Sequence, residues 1–188
     1  MSMGAAFGKK VDDIFMDAAQ RAIEEEPAYF VSMCQSPIEE LFLYAVWANG
    51  TWMERVKIAA VTFNDLLGMS LPAADHMMIL CVPQCEVGRY RVDFMLAAAR
   101  ANGEPPCLIA VECDGHEFHE RTKEQAAKDK RRDRELSDAG VSVYRFTGSE
   151  IWKDAGHCAR SVIEKLEHER NQSWGRHFAR TPFKEAAE

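Results

Sequence analysis

Three apolar runs crowd the middle of the chain, at residues 77–82, 90–97 and 107–113. In the second, Val92, Phe94 and Leu96 alternate with Arg91, Asp93 and Met95, the period of two expected of a strand. Asn102-Gly103-Glu104-Pro105-Pro106 separates the second run from the third with turn-forming residues, so consecutive strands are predicted here. The stretch 120–138 is highly charged and free of Gly and Pro, with Glu124 four residues before Lys128 and Arg131 four before Glu135. That spacing predicts an exposed helix, ended by Gly140. Val141, Val143, Tyr144 and Phe146 mark a fourth strand over 141–146. Ser149-Glu150 then opens a last helix, with Ile151, Val162, Ile163 and Leu166 apolar, to about residue 170.

Ahead of the strands, acidic and apolar residues mix at helical spacing over 11–26 and stop at Pro27. Ser36 as N-cap, Pro37 in the first helical position and Glu39 three residues after the cap form a capping box before the apolar run 41–48, which Asn49-Gly50 ends. Between 51 and 74 two readings stand: Met53, Val56, Ala60 and Phe63 suit a helix, while Gly68, Ser70 and Pro72 suit a loop. The stretch 171–188 is polar, lacks a clear period and is expected to be disordered. The chain thus divides into an N-terminal helical segment (1–35), a central domain (36–170) and a C-terminal tail (171–188). The order helix, strands, helix, strand, helix predicts an α/β domain with a mixed sheet. A doubly wound nucleotide fold is unsupported, because no Gly-x-Gly-x-x-Gly turn or Walker loop occurs.

With 188 residues, 47% hydrophobic and 28% charged, the chain suits one compact domain and not a disordered one. No apolar run reaches the roughly 18 residues of a membrane span, and residues 1–10 lack a secretory apolar core, so a soluble cytoplasmic protein is expected. The six cysteines form no paired Cys-x-x-Cys blocks, which predicts free thiols. A net charge of −7 means that the surface as a whole does not attract polyanions. Nucleic-acid contact would fall to local basic clusters such as Arg121, Lys123, Lys128, Lys130, Arg131, Arg132 and Arg134.

Chemistry concentrates where acids interrupt apolar strands. A buried carboxylate without a cation, metal or hydrogen-bond donors is costly, and Asp93 and Glu112 both lie inside apolar runs. Strand alternation puts Glu112 and Asp114 on one face and Cys113 on the other. If Asp93 lies on the neighbouring strand, three carboxylates converge, an all-oxygen cluster suited to Mg²⁺ or Mn²⁺. In the competing reading Asp93 pairs with Arg91 or Arg89, Asp114 only begins the turn at Gly115, and capping alone explains Glu39. Asp129, Arg132 and Asp133 read as a structural ion-pair set.

The order Glu39, Asp93, Glu112-x-Asp114-Gly115, His119, Asp129-x-x-Arg132-Asp133 and Gly140-Val141-x-Val143-x-Arg145-Phe146 resembles very-short-patch-repair-type endonuclease domains. These belong to the PD-(D/E)XK, restriction-endonuclease-like superfamily, and the likeness runs from about residue 36 to 166. It implies a restriction-endonuclease-like mixed β-sheet core flanked by helices, and Mg²⁺- or Mn²⁺-dependent hydrolysis of DNA phosphodiesters. By the resemblance Asp93 is the principal metal ligand, Glu112 the second acid, Cys113 a ligand through its carbonyl, and Glu39 an acid reaching in from the first core helix. The superfamily usually has lysine where this chain has Asp114, which would enlarge the metal-binding cluster. His119 matches the active-site histidine of the repair-type branch as general base or phosphate contact, and Lys128 is the fallback for the displaced lysine. A soft-metal site of Cys113, His116 and His119 is disfavoured, since alternation turns Cys113 away. The alternatives are a non-catalytic DNA- or partner-binding module on the same scaffold, and a nuclease directed at RNA.

Overall fold

A computed structural model describes residues 28–51, 56–68, 78–100, 104–115 and 123–180, with the backbone alone at 28, 50–51, 123–126 and 173–180. The helix expected over 11–26 lies outside the described residues. A single turn, α1 (Ala28–Val31), leads into α2 (Pro37–Thr51). Ser36 caps α2 as its sequence predicts: the Glu39 N–H donates to Ser36 Oγ at 3.3 Å. The Glu39 carboxylate turns back to accept the Ser36 hydroxyl at 2.9 Å and the Gln35 N–H at 2.8 Å, so the reciprocal bond lands one residue earlier than in a standard capping box. The helix runs through Asn49-Gly50 to Thr51, with the Asn49 amide donating to the Ala45 carbonyl at 2.7 Å.

The two-way reading of 51–74 missed a strand. β1 (Val56–Ile58) has three residues, too few to show a period, and is recruited by parallel pairing with β2 (Ile79–Val87). Between them, α3 (Phe63–Leu67) begins on a capping box of Thr62 and Asp65. β2 continues through Pro83 to Val87, past its expected end, and the two-residue turn Gly88-Arg89 returns the chain into β3 (Tyr90–Ala98). Gly88 has φ +60°, the left-handed conformation that a two-residue hairpin turn takes at its first position. β4 (Cys107–Asp114), α4 (Lys123–Asp138) and β5 (Val141–Thr147) follow, with Gly140 at φ +79° releasing α4.

α5 (Gly148–Arg180) begins on Thr147, not Ser149: the Glu150 N–H donates to Thr147 Oγ1 at 3.2 Å, and the Glu150 carboxylate accepts the Thr147 N–H at 2.8 Å. Its backbone breaks at Asp154, whose carboxylate recaps the helix by accepting the His157 N–H at 2.8 Å. The helix then continues to Arg180, so 171–180 is helical where disorder was expected.

The sheet order is β1-β2-β3-β4-β5, parallel at both outer pairs and antiparallel at both inner pairs. α2 and α5 cover one face through Phe42, Leu43, Val46, Ile151 and Val162, packed on Phe94, Leu96, Ile109 and Val111. Leu66 of α3 and Leu136 of α4 cover the other, against Val82, Met95 and Ala110. This is the mixed sheet flanked by helices expected of a restriction-endonuclease-like core. All six cysteines are free thiols.

Alternation is regular in β4 but breaks in β2 and β3. Leu80 and Val82 face the α3/α4 layer, and so do Cys85 and Val87; in β3, Met95 and Ala97 share that layer with Val92. The phase therefore slips between Val82 and Cys85, and again between Val92 and Met95. Gln84 carries φ +51°, a left-handed conformation that costs a side-chain-bearing residue about 1–2 kcal/mol, and it sits between the pairs Pro83–Phe94 and Cys85–Val92, opposite Asp93.

Phe42 is fully buried, with its ring 5.2 Å from that of Phe94 and 6.0 Å from that of Phe146, and so joins α2 to two strands. Phe42→Ala is expected to cost about 3–5 kcal/mol, read as a lowered midpoint in urea at unchanged m-value.

Candidate active site

Glu112 lies in β4 between Val111 and Cys113, which face the α2/α5 layer, so its own side chain turns toward α4. There it meets Arg132, which forms an ion pair with Glu112 Oε1. Arg132 also donates to the Arg91 carbonyl at 2.9 Å and lies 5.8 Å from the centroid of the Tyr90 ring. Glu112 is buried, and this desolvation outweighs the pull of Arg132; with the Asp93 charge adding to it, the carboxyl is pushed up to about 7.

Asp93 anchors from the neighbouring strand, its Oδ2 accepting the Cys113 N–H at 2.7 Å. Burial raises its pKa; the Cys113 N–H and Arg132 oppose that shift, and the charges of Glu39 and Asp114 reinforce it. Asp93 thus senses acids from both layers, consistent with its place at the slip in β3. Glu39 comes from α2 on the opposite side, buried, with Oε2 accepting the Gln84 amide at 2.8 Å. Its capping role and its position beside the site hold together, because its two oxygens divide among the three donors.

The expected residues are found as follows. Asp93 and Glu112 come together on adjacent strands, and Glu39 and Asp114 act on Asp93 through their charge. Asp114 ends β4, paired with Thr147 in register. Cys113 gives its N–H to Asp93, while its thiol turns into the α2/α5 layer as alternation predicts, and burial raises its pKa far above the usual thiol range. Lys128 is exposed on α4, one turn before Arg132. His116 and His119 lie outside the described residues. The competing pairing of Asp93 with Arg89 is not found, since Arg89 pairs with Glu135. The structural ion-pair set holds only in part: Asp133 pairs with Arg145, but Arg132 goes to Glu112. That is a correction, because Arg132 enters the candidate site instead of bracing the helix alone. Gln84 was missed entirely, since Pro83-Gln84 directly after the apolar run 77–82 reads as the end of the strand.

Among the described residues, no group of three His, Cys, Asp or Glu stands in metal-ligand geometry. What the described residues offer is a set of hard oxygen donors, buried at Glu39 and Glu112 and partly buried at Asp93 and Asp114, with the guanidinium of Arg132 as the paired counter-charge and Arg145 adding positive charge nearby. In kind, that donor set fits Mg²⁺ or Mn²⁺ and not a soft metal.

Glu112 yields a pH prediction for the metal-free protein. Its carboxyl titrates near 7 in the fold against 4.5 ordinarily, so the folded state retains a proton that the unfolded state has lost between those values. Stability is full below about pH 4.5 and falls as pH rises through about 7, by on the order of 3 kcal/mol. Thermal melts in EDTA from pH 5 to 8 are expected to show this decline, and Glu112→Gln is expected to flatten it; equal slopes would contradict the assignment.

Residues 75–166 match the family model REase_MTES_1575, a restriction-endonuclease-like family. Neither the curated proteins nor the solved structures contain a significant match to the chain. The matched segment carries Asp93, Glu112, Asp114 and Arg132 but begins after α2, leaving Glu39 outside it. Sheet and comparison agree: the chain has a restriction-endonuclease-like core, similar over 75–166 to the restriction-endonuclease-like family REase_MTES_1575.

Proposed function

We propose that this protein is a metal-dependent endonuclease that hydrolyses DNA phosphodiester bonds with Mg²⁺ or Mn²⁺. The observation that carries the reading is the pair Asp93–Glu112, a partly buried and a buried acid on adjacent strands, one held by a backbone N–H and the other by Arg132. Asp93, Glu112, Asp114 and the Cys113 carbonyl would hold the cation. Bound there, it would supply Lewis-acid stabilisation of charge on the phosphate and a water of lowered pKa. Glu39 adds negative charge from α2. His119 would serve as general base or phosphate contact, with Lys128 as the fallback for the displaced lysine, and Arg132 would orient Glu112. The exposed Lys128, Lys130, Arg131 and Arg134 of α4 would contact phosphates, making DNA binding strongly salt-dependent. The narrower kinship with very-short-patch-repair-type enzymes rests on motif order, and generic nicking fits better than mismatch repair, because the chain has no matching cysteine and histidine set for a zinc site. A cytoplasmic location and delivery to DNA by a partner protein complete the reading.

The purified protein is expected to nick supercoiled plasmid in Mg²⁺ or Mn²⁺. Asp93→Ala should lower the rate more than about a hundredfold, beyond the loss typical of a metal's outer-sphere partners. Equal nicking by the two proteins would remove the site assignment, and a parallel assay on single-stranded RNA decides between substrates.

A second reading draws on Arg132 already neutralising Glu112 and on Asp114 standing where lysine is usual: a DNA- or partner-binding module without catalysis. Saturable Mn²⁺ binding lost in Asp93→Ala favours the enzyme. Salt-sensitive DNA binding indifferent to metal favours the module.

A further inference from the structure

Glu39 is held by three donors. Two of them, Gln35 and Ser36, belong to the cap of its own helix, and they would orient the carboxylate in the same way wherever that helix lay. The third, the Gln84 side-chain amide, comes from 45 residues away on β2 and ties Glu39 to the sheet at 2.8 Å. Gln84 occupies the strand position opposite Asp93, where its left-handed backbone accompanies the slip in side-chain phase. A glutamine is a poor choice for that conformation if a turn is all that is needed, since glycine or asparagine adopts it more cheaply. Backbone strain of this kind collects at functional sites, where the surrounding structure maintains it for the sake of an aimed side chain. Gln84 also borders an open cleft of about 640 Å³ between α3 and β2, walled by Val61, Phe63, Asp65 and Cys85, so it stands between that cleft and the acids.

We propose that Gln84 is a positioning residue of the site: its amide sets the Glu39 carboxylate against the sheet beside Asp93, so that Glu39 strengthens the hold on a divalent cation. The inference rests on the metal-dependent reading above and deepens it. Gln84 acts through Glu39 and touches no reacting atom. An amide suits this task, because it donates to the carboxylate without adding a charge that would compete with the cation.

The test is Mn²⁺ binding by isothermal titration, beside nicking kinetics, on the full chain. Gln84→Gly removes the amide while relieving the backbone, so it is expected to keep or raise the melting temperature and still weaken Mn²⁺ about tenfold, the usual scale for a ligand's supporting partner. At a fixed, sub-saturating Mn²⁺ concentration the nicking rate should fall with KM for DNA unchanged, and saturating metal should restore it. Gln84→Glu, of the same shape but repelling Glu39, should weaken Mn²⁺ at least as much, and it serves if the glycine variant does not fold. In a Glu39→Gln background, Gln84→Gly should add no further loss. A merely structural glutamine would give the reverse, a lowered melting temperature with Mn²⁺ affinity within twofold of the parent, and that result overturns the proposal. The wild type judges the parent reading separately. If it binds no Mn²⁺, or binds it equally well as Asp93→Ala, the metal-dependent reading fails and this inference falls with it. If wild-type binding depends on Asp93 yet both Gln84 variants bind equally well, only the role of Gln84 fails.

Discussion

Two carboxylates inside the sheet constrain the rest of this fold. Asp93 and Glu112 occupy the adjacent antiparallel strands β3 and β4, where apolar neighbours strip away water and raise both pKa values. Each needs a donor, and the two donors differ in kind. Asp93 takes a backbone N–H from the strand that carries Glu112, so strand pairing itself stabilises it. Glu112 takes Arg132, which reaches in from α4 and also grips the Arg91 carbonyl. Removing one partner of a buried ion pair leaves an uncompensated charge, so the contact fixes where α4 sits more than it adds net stability. The helix that presents the basic residues is therefore docked by the acid of the candidate site.

A second constraint comes from the slips in side-chain phase. Regular alternation would confine Glu39 and Glu112 to separate layers, with a full sheet between them. The slips at Gln84 in β2 and at Asp93 in β3 place Asp93 where it senses both, Glu39 from the α2 side and Arg132 from the α4 side. Sheets commonly distort beside functional sites because a regular ladder cannot aim a side chain between layers.

Asp114 ends β4 two residues after Glu112, so the next acid of that strand adds negative charge beside Glu112 and the counter-charge comes from elsewhere. Arg132 supplies positive charge from a different element, 20 residues further along the chain. A guanidinium keeps its charge at any working pH and has planar donors matched to carboxylate or phosphate, whereas lysine is a compact point charge. The family match over 75–166 includes both positions, while Glu39 and its supports Gln35 and Ser36 lie outside it and rest on the geometry alone.

Much of this was legible in sequence. The strands β3, β4 and β5, the helix α4, the Ser36 cap and the mixed α/β class follow from local rules: period, turn residues and capping side chains leave their marks within a few positions. Asp93, Glu112 and Glu39 were visible for a related reason, since an acid within an apolar run, or one set three residues after a serine, stands out against its neighbours. What escaped was non-local. β1 is too short to carry a period and exists only by pairing with β2; the helix beyond residue 170 has no periodic signature; Arg132 looked like one more charge on a solvated helix; and Gln84 shows its role only where its backbone turns left-handed opposite Asp93. Local side-chain chemistry set which groups could be acids, caps and strands. Which cation would meet which acid, and across which break in the sheet, was decided by long-range packing, because those energies depend on burial and distance that no spacing along the chain encodes.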